Sequence, residues 1–151
     1  MTHEEELELR KRIVEEALSW KNTGYHDHAG IKNVGVDCAH LPLRVYQAVG
    51  VIPADYQTPH YHPQQWLKKD VADTAFMDEL VKYAIEITEA EVQPGDLILY
   101  KFVNSWTHGA VVIEWPNYLL HAVVNRGVIG SCADEGFLLR RQRRFFSFLV
   151  K

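Results

Sequence analysis

The chain opens with Thr2 and Glu5 at the spacing of a capping box, and an acidic first turn runs into the apolar positions Leu9, Ile13, Val14, Ala17 and Leu18. That spacing predicts an amphipathic helix ending near Asn22, where Thr23-Gly24 breaks it. A glycine-spaced loop from Tyr25 to Val36 leads into Asp37. From Cys38 to about Val49, Leu41, Val45, Ala48 and Val49 recur at helical spacing, and Gly50 stops the run. Residues 51–72 contain Pro53, Pro59 and Pro63 and read as a long excursion with one helical turn around Trp66. A further amphipathic helix is expected from Thr74 to Thr88, with Phe76, Leu80, Tyr83, Ala84 and Ile87 on one side.

After Pro94-Gly95 the period changes from that of helices to that of strands. Residues 97–102, 110–115, 118–124 and 145–150 are short β-branched or aromatic runs between turn residues, and Pro116-Asn117 marks a hairpin tip. Helices first and strands afterwards predict an α+β fold with an antiparallel sheet. The length of 151 residues fits a single domain, 1–151, and neither an internal repeat nor a linker interrupts it.

Composition changes this picture little. The chain is 47% hydrophobic and 24% charged, with a net charge of −4. The overall balance therefore gives no reason to expect nucleic acid or membrane as a partner. The N-terminal Met1-Thr2-His3-Glu4-Glu5-Glu6 is acidic rather than basic-then-apolar, and no apolar run approaches the ~20 residues of a membrane span. Synthesis in the cytoplasm without a secretion signal is the expectation. The two cysteines, Cys38 and Cys132, are too few for a disulfide scaffold, and a reducing setting argues against their pairing.

The candidate chemistry starts at Asp37-Cys38. Asp37 is a good N-cap, which would place Cys38 in the first turn of its helix. There the free N–H groups and the helix dipole would lower the thiol pKa and could receive an oxyanion. Pro42, four residues on, fits such a first turn poorly. The ordinary role of a free cysteine is that of a small buried hydrophobe, and the downstream histidines shift the balance. His108 stands at the mouth of an apolar strand, beside Gly109 and Ala110. His121, thirteen residues later, opens the next strand and could fix the tautomer of His108. A tight turn at Pro116-Asn117 would leave the two short of facing each other, so the contact needs a bulge or a wider loop.

In order, Asp37-Cys38-Ala39-His40-Leu41, Pro94-Gly95-Asp96-Leu97, His108-Gly109-Ala110-Val111 and His121-Ala122 resemble the NlpC-type cell-wall peptidases, a papain-like group of cysteine hydrolases. The likeness spans about Tyr25 to Gly127, within a motif-bearing core of about 23–130. It implies a papain-like fold with the nucleophile at a helix N-terminus packed on the sheet. It also implies Cys38 as nucleophile, His108 as general base, His121 as orienting residue, and Tyr25 and Asp37 at the substrate. The implied substrate is a peptidoglycan stem peptide, cut between D-glutamate and a diamino acid through an acyl-enzyme, with no cofactor and no metal. Ala39-His40 stands where the family has Ser-Gly, which bears on substrate preference. Compact versions of this kind resemble those of phage tail modules, which makes phage tail proteins candidate partners and the virion a candidate location.

Other readings start from the same residues. A catalytically silent domain of the same fold would serve as a structural part of a phage tail, and an acyl- or amidotransferase would use the same triad on another acceptor. His26-x-His28 and His60-x-His62 have the i, i+2 spacing of metal ligands but lack cysteine or carboxylate companions. Arg140-Arg141-Gln142-Arg143-Arg144 reads as a solvated strand edge or turn, with an anionic partner as the alternative.

Overall fold

A computed structural model describes residues 1–56, 82–102 and 105–149, with Ser105 by its backbone alone. The helical turn expected at Trp66, the first half of the helix expected over 74–88, and His60-x-His62 lie outside the described residues.

The capping box forms as the sequence predicts. Thr2 Oγ1 accepts from the Glu5 N–H at 3.1 Å while Glu5 Oε2 accepts from the Thr2 N–H at 2.7 Å, and α1 runs His3–Leu18. It ends four residues before Asn22, which adopts a left-handed φ of 71° in the turn that follows. A short hairpin comes next, β1 (Gly30–Ile31) with β2 (Gly35–Val36), and Tyr25 bridges to Val36. The second helix, α2, spans His40–Ala48 and buries Leu41, Val45 and Tyr46, whereas Ala48 is exposed. The sheet is antiparallel in the order β3-β8-β4-β5-β6-β7. Its strands are β3 (Ile85–Ile87), β4 (Leu97–Phe102), β5 (Ser105–Glu114), β6 (Tyr118–Val123), β7 (Gly127–Ser131) and β8 (Arg143–Ser147).

Residues 85–87 correct the expected helix over 74–88. They form a strand because Ile85, Glu86 and Ile87 pair with Ser147, Phe146 and Phe145. The strand β7, with a glycine at each of two of its five positions, had no period to announce it.

Alternation divides the sheet into two faces. Leu97, Leu99, Val111, Leu120, Ala122 and Phe146 face α1 and α2 and pack with Ile13, Ala17, Leu41, Val45 and Tyr46. Ile98, Tyr100, Ala110, Val112, Leu119 and Phe145 form a second apolar layer with Ala133 and Leu138. The Pro94-Gly95-Asp96 turn is clamped by both helices. Arg10 of α1 donates to Asp96 Oδ1 at 2.8 Å and to the Pro94 carbonyl at 3.0 Å, and the Tyr46 hydroxyl of α2 donates to the Gly95 carbonyl at 2.9 Å. That turn therefore fixes the helices to the start of β4, and Asp96 is a structural anchor. The arginine run is ion-paired: Arg143 binds Glu89 and Asp134, and Arg144 binds Glu86 through two nitrogens.

Candidate active site

Asp37 organises the start of α2. Its Oδ1 accepts from the Ala39 N–H (3.1 Å), the His40 N–H (2.8 Å) and His40 Nδ1 (2.8 Å), and its Oδ2 accepts from the His28 N–H (2.9 Å). Burial pulls the Asp37 carboxyl up, but the His40 and His28 hydrogen bonds outweigh it and hold the group below its ordinary value. The helix thus begins at His40, two residues after Cys38, which occupies the preceding turn. This corrects the expected placement and removes the difficulty with Pro42. Pro42 falls in the first turn, where a missing N–H loses no helix bond. The bulky His40 is explained too, since its ring locks against Asp37.

Cys38 is 8% exposed, and its Sγ donates to the Thr107 carbonyl at 3.5 Å. The Tyr25 hydroxyl and the backbone N–H of Cys38 favour the thiolate. Burial is the main reason that the thiol is pushed up to about 12, with the Asp37 carboxylate adding to it and Tyr25 opposing. The expected lowering by the helix start is therefore not seen, because desolvation of a thiolate outweighs a terminal dipole whose nearest N–H groups are spent on Asp37.

His108 lies one residue beyond the carbonyl that the thiol touches. The next residue, Gly109, faces α2: a Cβ there would stand 2.8 Å from Pro42 Cγ and 3.3 Å from the Cys38 carbonyl oxygen. Alternation turns the His108 ring to the opposite side of β5, where its neighbours are Tyr100, Phe102, His121 and Phe137. His108 Nε2 and His121 Nδ1 are 2.8 Å apart, and His121 Nε2 is 2.7 Å from Ser131 Oγ. The contact between the histidines is diagonal. A register shift between Val112 and Glu114 sets Val111 against Leu120, which carries His121 within reach of His108. The ring of Phe137 stacks on His121 at 5.6 Å and 18°. Burial, then His121 and Arg141, pushes His108 down to about 3; burial, then Arg126, pushes His121 down to about 4. Both rings are neutral at physiological pH.

Thus the histidines are joined to each other, and Cys38 is joined to Tyr25. Among the described hydrogen bonds, none links Cys38 Sγ to the His108 ring, and the thiol touches the strand through Thr107. Ser131, Phe102 and Phe137 were not legible as part of this site; Ser131 closes a strand too short and glycine-rich to be seen. Among the described residues, no group of three His, Cys, Asp or Glu side chains could hold a metal ion. Cys38 and Cys132 are both free thiols.

The arrangement of α1, α2 and the sheet is that of NlpC/p60 domains. The chain is similar to the NlpC/p60 domain of the peptidoglycan hydrolase SagA, at 17% identity and TM-score 0.59, over 89% of this chain and 96% of that one. It is also similar to an NLP/P60-family lipoprotein-like protein of Staphylococcus aureus (22% identity, TM-score 0.60), over 91% of this chain but 41% of that longer one. RipD of Mycobacterium tuberculosis, described as a non-catalytic NlpC/p60 domain protein adapted to peptidoglycan binding, matches at 16% identity and TM-score 0.57, over 93% and 98% of the two chains. No protein-family profile matches the sequence, and no curated protein is similar to it in sequence. At these identities the likeness establishes the NlpC/p60 fold.

Proposed function

We propose that this chain is a cysteine peptidase or amidase acting on peptidoglycan stem peptides, at the amide between D-glutamate and a diamino acid. The observation that carries the reading is the turn that leads into α2, where the Cys38 thiol packs on β5 at the Thr107 carbonyl, one residue from the His108–His121 pair. Those are a nucleophile and an oriented base. The thiol is at rest on the Thr107 carbonyl. For turnover the Cys38 side chain has to leave that carbonyl and come round Thr107 to the His108 face of β5, where its proton passes to His108 Nδ1, the ring nitrogen that His121 does not use. Sulfur adds to the carbonyl carbon of the amide, and the imidazolium returns the proton to the departing amine. Water then hydrolyses the thioester with His108 as base.

A second reading is peptide binding without turnover, and two observations favour it: the missing bond between thiol and imidazole, and the buried neutral thiol. One experiment separates them. Purified muropeptides are incubated with the protein and with Cys38→Ala, followed by mass spectrometry and by titration calorimetry. Cleavage lost in Cys38→Ala supports the hydrolase. Binding by both proteins with cleavage by neither establishes the binding domain, and neither binding nor cleavage sinks both readings.

A further inference from the structure

Ser131 belongs to none of the motifs, yet it ends a continuous chain: Ser131 Oγ to His121 Nε2 at 2.7 Å, then His121 Nδ1 to His108 Nε2 at 2.8 Å. A neutral imidazole carries one N–H, so this chain has two proton arrangements. In the first, Ser131 donates to His121 Nε2, His121 Nδ1–H donates to His108 Nε2, and His108 keeps its proton on Nδ1. In the second, His121 Nε2–H donates to Ser131, His108 Nε2–H donates to His121 Nδ1, and His108 Nδ1 is bare. Only the second leaves a basic nitrogen at the open end of the chain.

Ser131 is badly placed to be a nucleophile itself. The following N–H groups are taken, that of Cys132 by Glu135 Oε1 at 2.7 Å and that of Ala133 by the Pro116 carbonyl at 2.9 Å. Neither can serve an oxyanion. The rings of Phe102 and Phe137 wall the histidines, and Arg126, Glu135 and Arg141 act on them through charge alone, so among the described hydrogen bonds Ser131 is the partner that fixes the proton at the end of the chain.

We propose that Ser131 is a positioning residue that accepts the His121 Nε2 proton and so keeps the unprotonated nitrogen of the pair on His108 Nδ1. The proposal rests on the reading of His108 as general base. Long-range proton–nitrogen NMR of the full chain, with histidine nitrogens labelled and at neutral pH, reads the tautomers directly. The expected result is His108 and His121 both protonated at Nε2, a shift of both rings towards the other tautomer in Ser131→Ala, and restoration in Ser131→Thr. Ser131→Ala is expected to lower kcat by about tenfold at unchanged KM, and Ser131→Thr to restore it. A wild-type His108 protonated at Nδ1 overturns the proposal without any variant, as do tautomers unmoved in a folded Ser131→Ala. Absent cleavage with the expected tautomers would instead defeat the hydrolase reading and leave the role of Ser131 standing.

Discussion

The turn before α2 and the histidine chain on the far side of β5 meet around Thr107, and they are stabilised in opposite ways. The turn is saturated with hydrogen bonds: both oxygens of the Asp37 carboxylate are occupied, and the thiol has a carbonyl to donate to. The histidine chain is held in an apolar sleeve of aromatic rings, with one short bond at each step. The first region keeps a charge, on Asp37, by satisfying it. The second keeps its own rings neutral, by burial and by the nearby Arg126 and Arg141. A thiol and an imidazole can thus be neighbours in the fold and still be held separately, one by polar contacts and the other by desolvation.

Acid should break the histidine region first and with the largest effect. Unfolded, His108 and His121 each bind a proton below about 6.5, whereas folded they do so only near 3 and 4. Stability is therefore complete above pH 6.5 and falls on acidification, by up to about 1.4 kcal/mol per pH unit for each ring. At pH 5 the expected loss is about 4 kcal/mol, read by urea unfolding against neutral pH. The double variant His108→Gln with His121→Gln should flatten that slope; a slope that survives would assign it elsewhere. Asp37 contributes in a lower window, because a carboxyl held below its ordinary 3.8 gives its stability above that value and loses it only as pH falls further.

Asp37→Ala removes the cap instead and should cost about 3 kcal/mol, since it strands the buried N–H groups of Ala39 and His40 and gives up the half-buried bond from His28. Its effect should be the same at pH 7 and pH 5, in contrast to the histidines. Gly109→Ala attacks the seam between the two regions. Its Cβ would press on Pro42 and the Cys38 carbonyl, and the melting transition should show a loss of about 2 kcal/mol. Arg144→Ala, outside both hydrogen-bonded groups, breaks an exposed pair with Glu86 and should cost at most about 1 kcal/mol. Alkylation sharpens the comparison without unfolding anything. Cys132, half-exposed, should react with iodoacetamide well before Cys38, and Cys38 labelling at neutral pH as fast as Cys132 would contradict a buried thiol raised to about 12.

Local physics explains what was legible in the sequence. The Thr2–Glu5 box and the runs at 97–102 and 118–124 depend on neighbours three to six positions away, and they form much as the pattern predicts. The run Tyr83-Ala84-Ile85-Glu86-Ile87 fits a helix as well as a strand, and pairing with residues 145–147, some sixty positions distant, settles it. The final strand begins at Arg143 rather than at Phe145 because ion pairs accommodate the two arginines on the sheet. At the site, the residue types and their order were legible, as was the need for a bulge to join His108 to His121. The depth of burial of Cys38 was not, because desolvation depends on everything packed around the thiol. The partnership of His121 with Ser131 was hidden for the same reason that β7 was.

Between Tyr100 and Lys101 the pairing of β4 with β5 skips, so that His108 and Trp106 are matched and Thr107 has no counterpart across the ladder. An extra residue of this kind has a carbonyl to spare, and here the thiol has claimed it. The proton of Cys38 is therefore held by a vacancy in the sheet, and the thiol competes for it with any N–H that arrives there.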